Sequence, residues 1–113
     1  MEIKEKLEII QNAIEAKKGF DIDTIFIGEK SSIADYFVIC SVNNKSQAES
    51  IMDEVDEKLA VQGILPRRVE GKVTSNWIIM DYEDIIVHIF LSDDREYYNL
   101  ERLWKNLEIE SEE

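Results

Sequence analysis

Residues 68–91, RVEGKVTSNWIIMDYEDIIVHIFL, decide the fold. Two apolar runs, 77–80 and 85–91, flank the acidic turn Asp81-Tyr82-Glu83-Asp84 and read as the strands of a hairpin. With Glu83-Asp84 as a two-residue turn, Tyr82 faces Ile85, Asp81 faces Ile86, Ile79 faces His88 and Trp77 faces Phe90. A four-residue loop keeps this pairing and a three-residue loop shifts it. Alternation then puts Ile78, Met80, Tyr82, Ile85, Val87, Ile89 and Leu91 on one face, apolar enough to receive helices. The other face carries Trp77, Ile79, Asp81, Ile86, His88 and Phe90. It mixes large apolar side chains with an acid and an imidazole.

Two readings of that second face stay open at this point. In one, the sheet is covered on both sides, with Asp81 and His88 satisfied at its margin. In the other, the face is half exposed and receives a partner, because aromatics beside a few polar groups are the usual make-up of interface anchors.

Working outward, residues 1–18 carry Ile3, Leu7, Ile10 and Ile14 at helical spacing, with Lys17 and Lys18 at the negative end and Gly19 as the stop. Residues 20–27 read as a strand. Residues 36–40 are a continuous apolar strand, covered on both faces, with Asp35 at its start. Ser31 and Ser32 before it suit a turn. Ser46 with Glu49 is a capping box for a helix striped by Ala48, Ile51, Met52, Val55 and Leu59 and ended by Gly63. Residues 67–70 form a short strand after Pro66. Ser92-Asp93-Asp94 opens a short helix, and Leu100, Leu103, Trp104 and Leu107 stripe a last one that Asn99 caps. The order α-β-β-α-β-β-β-α predicts an α/β (α+β) fold, a mixed sheet of about five strands with flanking helices. One domain spans 1–107, and 108–113 is an acidic tail that frays.

The 113 residues suit a single domain, and 44% hydrophobic residues suffice for a core. No run of about 18 apolar residues suggests a membrane span, and the N-terminal MEIKEKLEII lacks a signal peptide's basic start and apolar middle. A cytoplasmic location is the expectation. Cys40, the single cysteine, reads as a small core residue. The formal net charge of −12 argues against DNA or RNA as the main partner and favours a basic protein.

Catalytic signals are sparse. The four glycines are scattered and form no phosphate-cradling loop, and His88 has no second histidine for a metal. No cofactor, metal or small-molecule substrate is expected. A metal-dependent nucleotidyltransferase-like enzyme, using Asp35, Asp81 and Asp84, is the alternative. Against it, Phe37 is apolar where a second acid would have to point the same way as Asp35.

Four stretches together, SSIADYFVICS at 31–41, RVEG at 68–71, NWIIMDYEDIIVHIFL at 76–91 and REYYNLERLW at 95–104, resemble the bacterial ribosomal silencing factors of the Iojap family. The similarity runs from the first helix to Trp104. It implies a nucleotidyltransferase-like fold without an established catalytic site. It also implies binding to the large (50S) ribosomal subunit at ribosomal protein number fourteen, on the face that meets the small subunit. Occupying that face blocks subunit joining and lowers translation when nutrients are short. A part in large-subunit assembly, and a homodimer when free, are implied as well. The family's surface motif falls on Glu70, Gly71, Trp77, Asp81, Tyr82, Asp84 and His88, overlapping the mixed hairpin face. Asp35, Tyr98 and Glu101 match family motifs too, without an assigned role.

Overall fold

The computed structural model describes residues 1–29, 31–72 and 76–98. The elements are α1 (Ile3–Ala16), β1 (Phe20–Phe26), β2 (Tyr36–Val42), α2 (Lys45–Ala60), β3 (Arg68–Glu70), β4 (Trp77–Asp81), β5 (Ile85–Leu91) and α3 (Ser92–Tyr98). This is the expected order, up to the end of the described chain. The last expected helix at 99–107, Glu101, the acidic tail and the side chain of Tyr98 lie outside the described residues.

The strands form one mixed sheet in the order β1-β2-β5-β4-β3. β5 lies between β2, to which it is parallel, and β4, to which it is antiparallel; the outer pairs are antiparallel. The hairpin register is the two-residue-turn register: Trp77 opposes Phe90, Ile79 opposes His88 and Asp81 opposes Ile86. The Tyr82 N–H closes the loop on the Ile85 carbonyl at 2.9 Å. Glu83 takes a φ of 78°, and its N–H donates to Asp81 Oδ1 at 2.8 Å, so the aspartate's own side chain holds the turn.

Both long helices lie on the face that alternation marked as apolar. Ile10, Ala13 and Ile14 of α1 and Ala48, Ile51, Val55 and Leu59 of α2 pack there against Val38, Cys40, Val42, Ile78, Met80, Ile85, Val87 and Ile89. Ile10, Ile14, Ile51 and Leu59 are fully buried, each stabilising the fold by about 1.5–3 kcal/mol. Burial pushes the Cys40 thiol up to about 12, with Arg95 opposing, so it stays a protonated core side chain. The second face holds Ile25, Phe37, Ile39, Ile86 and Phe90, all buried, with Trp77 and Ile79 half-buried against them. β2 is thus buried on both faces, as its unbroken apolar run required.

Two helix ends differ from expectation. The left-handed residue after α1 is Lys18, at φ 65°, rather than Gly19. Lys18 N–H bonds the Glu15 carbonyl and Gly19 N–H the Ile14 carbonyl, meeting two of the helix's last acceptors. Gly19 is needed for close approach: a Cβ there would sit 2.5 Å from Ile14 Cγ2 and 2.9 Å from Ile51 Cδ1. The N-cap of α2 is Asn44, not Ser46, and it accepts from Gln47 N–H at 2.8 Å. Asn44 and Gln47 carry the same three-residue spacing as Ser46 and Glu49, two residues earlier. The earlier pair prevails because Gln47 also bonds the Asn43 N–H and the Lys17 and Lys18 carbonyls, tying α2 to the end of α1.

Candidate partner-binding face

The second face of the sheet is built in cross-strand rows. One row runs Ile25, Phe37, Ile86, Asp81 and Arg68; the next Asp23, Ile39, His88, Ile79 and Glu70; the third Ser41, Phe90 and Trp77. Neither α1 nor α2 lies over it. Arg95 of α3 reaches its far corner, donating to Ser41 Oγ at 2.8 Å and to the Asp21 carbonyl.

Trp77 lies across this face. Its ring stacks on Phe90 with centroids 4.7 Å apart and planes 26° apart. Its indole Nε1–H donates to His88 Nδ1 at 3.1 Å. His88 is 5% exposed and packs edgewise with Phe37 at 4.5 Å. Because Nδ1 accepts, the imidazole is neutral with its proton on Nε2, and burial holds its pKa down to about 4. The Nε2 atom is buried with no hydrogen-bond partner. The indole itself is only half-buried, the one large aromatic on this face left partly open by the described chain.

Asp81 anchors the end of the same face. Its carboxylate is 1% exposed, yet Oδ2 lies 3.0 Å from Arg67 Nη2 and 3.6 Å from Arg68 Nε, whose side chains are 55% and 65% exposed. Burial works against its ionisation; the Glu83 N–H, the Arg67 hydrogen bond and the charges of Arg67 and Arg68 outweigh it and hold the pKa below the usual carboxylate value. Gly71 follows Glu70 at the other end of the β3–β4 pair, at φ 87°, and any Cβ there would collide with the Trp77 carbonyl. It therefore permits the crossing of the chain that starts β4 at Trp77.

Tyr82 and Asp84 sit elsewhere. Tyr82 is 4% exposed within the helix-side core; burial, with the charge of Asp56, pushes its phenol up, and its hydroxyl has no partner. Asp84 turns to α1, where Lys6 Nζ meets Oδ2 at 2.9 Å. A cleft of about 760 Å³ opens here, at the N-terminal ends of β2 and β5, lined by Lys6, Asp35, Arg67, Glu83 and Asp84 with residues 31–34. Ser31 Oγ accepts from Ile33 N–H at 3.0 Å, the turn chemistry expected of that loop. Of the three aspartates of the enzyme alternative, Asp35 and Asp84 line this one cleft and Asp81 does not. Asp81 is engaged by Arg67, Asp84 by Lys6, and Asp35 is exposed at the cleft rim. Among the described residues no group of three His, Cys, Asp or Glu side chains could hold a metal ion.

Of the seven motif residues, Trp77, Asp81 and His88 share the second face, Glu70 lies exposed at its β3 edge, and Gly71 shapes the backbone beside them. Tyr82 and Asp84 are separate. Sequence reasoning missed Lys6, which no local pattern could pair with Asp84 across 78 positions. Arg67 and Arg68 stand side by side in the sequence with nothing local to name their target, which is the buried Asp81.

The chain matches the family described as "Ribosomal silencing factor during starvation" over residues 1–113. It is 38% identical over 104 residues to "Ribosomal silencing factor RsfS" of Halalkalibacterium halodurans, covering 92% of this chain and 89% of that protein. A crystal structure of a Chromobacterium violaceum protein superposes with a TM-score of 0.90 at 28% identity, covering 93% of this chain and 88% of that one. A more distant relative, 24% identical over 101 residues, is the mouse "Mitochondrial assembly of ribosomal large subunit protein 1"; the match covers 87% of this chain and 44% of that protein.

Proposed function

Since the chain belongs to the ribosomal silencing factor (Iojap) family, we propose that it silences translation by steric exclusion, binding the large ribosomal subunit at ribosomal protein number fourteen and keeping the small subunit off. The reading needs no catalytic step and no cofactor. It operates in the cytoplasm when nutrients are limiting, and the same contact serves large-subunit assembly, a process that the name of the mouse relative carries. The free chain is a homodimer. No described helix is long and apolar enough to cross a membrane.

The observation that carries the reading is Trp77, held half-open on Phe90 and His88 in a sheet face that α1 and α2 leave alone. An aromatic fixed by its neighbours, on a face whose β3 edge carries the exposed Glu70 and Arg68, has the make-up of an interface anchor beside polar groups. The net charge of −12 supports a basic partner. Sedimentation with purified 50S, 30S and 70S particles tests it. The chain should travel with 50S, reduce 70S formation from free subunits, and act less on preformed 70S. Equal co-sedimentation with 30S would sink the idea. Sedimentation equilibrium of the free chain checks the dimer.

A further inference from the structure

His88 presents a contradiction that the fold alone does not resolve. The second face around it is apolar: Ile39 and Ile79 flank it in its row, and Phe37 and Phe90 lie against its ring. A phenylalanine would fill that place without burying a polar atom. The imidazole instead leaves Nε2 buried and unbonded, a destabilising feature. Its one hydrogen bond runs to the indole of Trp77, which sits diagonally across the hairpin and is only half-buried. An unbonded indole N–H at a half-open site could turn to water; the fold itself gains little from fixing it.

We propose that His88 is a positioning residue for binding. It does not contact the partner; it locks the Trp77 indole at one angle on Phe90, so that the anchor is pre-organised before the large subunit arrives. This rests on the proposed function above. A rigid anchor loses less freedom on binding than one that swings. The imidazole is suited to this because its unprotonated Nδ1 accepts, while its planar ring fits the slot between Phe37 and Trp77.

Three variants of the full chain test it: His88→Phe, which keeps a ring and removes the acceptor; His88→Gln, which supplies an amide oxygen; and Trp77→Phe. The readouts are thermal melting, affinity for purified 50S particles, and the indole N–H signal lost in Trp77→Phe, with its hydrogen-exchange rate. His88→Phe should melt at or above the parent temperature, release the indole N–H to fast exchange, and bind 50S about fivefold more weakly, the net worth of one hydrogen bond. His88→Gln should restore slow indole exchange and most of the affinity. A structural histidine would move melting and affinity down together, and that outcome overturns the proposal. So does a His88→Phe chain that binds 50S like the parent while Trp77→Phe binds weakly. If Trp77→Phe and His88→Phe both bind like the parent, the binding face itself is misassigned and the proposal falls with it.

Discussion

Asp81 gives the sharpest stability test. Its carboxylate makes two kinds of bond: Oδ1 accepts the Glu83 N–H and holds the turn, and Oδ2 meets Arg67 and Arg68. Asp81→Asn keeps the first and loses the charge attraction of the second. A buried charge-assisted hydrogen bond is worth about 1.5–3 kcal/mol, but Arg67 is more than half exposed and partly screened, which brings the expected loss to about 1–2 kcal/mol. Asp81→Ala also strips the Glu83 N–H and should cost about 2–3 kcal/mol in all. At roughly 4 °C per kcal/mol for a domain of this size, Asn should melt about 4–8 °C low and Ala about 8–12 °C low. The pH dependence follows from a folded pKa held below the unfolded one. Stability from this group is present above the unfolded value near pH 4 and lost as pH falls through the folded pKa. The gap between parent and Asp81→Asn should therefore be flat from about pH 5 to pH 8 and close below about pH 4. Differential scanning fluorimetry across pH measures it. His88 affects parent and variant alike and cancels in the difference. If Asp81→Asn melts with the parent at neutral pH, the arginines contribute nothing to this carboxylate and the reasoning fails.

Four further outcomes are expected. Trp77→Ala removes a stacked, hydrogen-bonded but half-buried ring, so melting should drop by about 1–2 kcal/mol, less than the 3–5 of a core aromatic, while 50S affinity falls roughly thirtyfold or more; a far larger melting loss marks Trp77 as structural. Gly71→Ala should destabilise clearly more than Gly63→Ala in chemical denaturation, because both have positive φ but only Gly71 has the Trp77 backbone against it; equal losses contradict this. The folded pKa of His88 lies below its unfolded value, so the parent should lose stability as pH falls from about 6.5 to about 4, and His88→Phe should lack that part of the loss; identical pH–melting curves in that range refute it. Association with 50S should slow as salt rises, since screening cuts the reach of charge to about 8 Å at physiological ionic strength; stopped-flow rates that stay flat from low to moderate salt count against steering.

The hairpin was legible because its information is local. Side chains of period two on both strands fix which residues share a face, and the two-residue turn fixes the register. That placed Trp77 diagonally from His88 before any coordinates, and the structure turns the proximity into a hydrogen bond. What sequence could not supply was everything decided by distant partners. The α2 cap moved to Asn44 because Gln47 reaches back to Lys17 and Lys18, 30 and 29 positions away. Nothing near Asp84 announces Lys6. The two readings of the mixed face were likewise undecidable, because alternation says which way a side chain points and not what covers it. The structure divides the answer: Phe37, Ile39, Ile86 and Phe90 are buried, as in a covered sheet, and Trp77 and Ile79 remain half-open.

That division bears on the motif residues. Glu70 and Trp77 have side-chain surface to offer a partner, and Asp84 has some. Asp81, Tyr82 and His88 are each at most 5% exposed, and Gly71 has no side chain to offer. Yet Asp81, Gly71 and His88 each act on a neighbour. Asp81 gathers Arg67 and Arg68 at the surface, Gly71 makes room for the Trp77 backbone, and His88 holds the Trp77 indole. On this geometry, alanine changes at Glu70 should act through contact, and changes at Gly71, Asp81 and His88 through the placement of Trp77 and the two arginines.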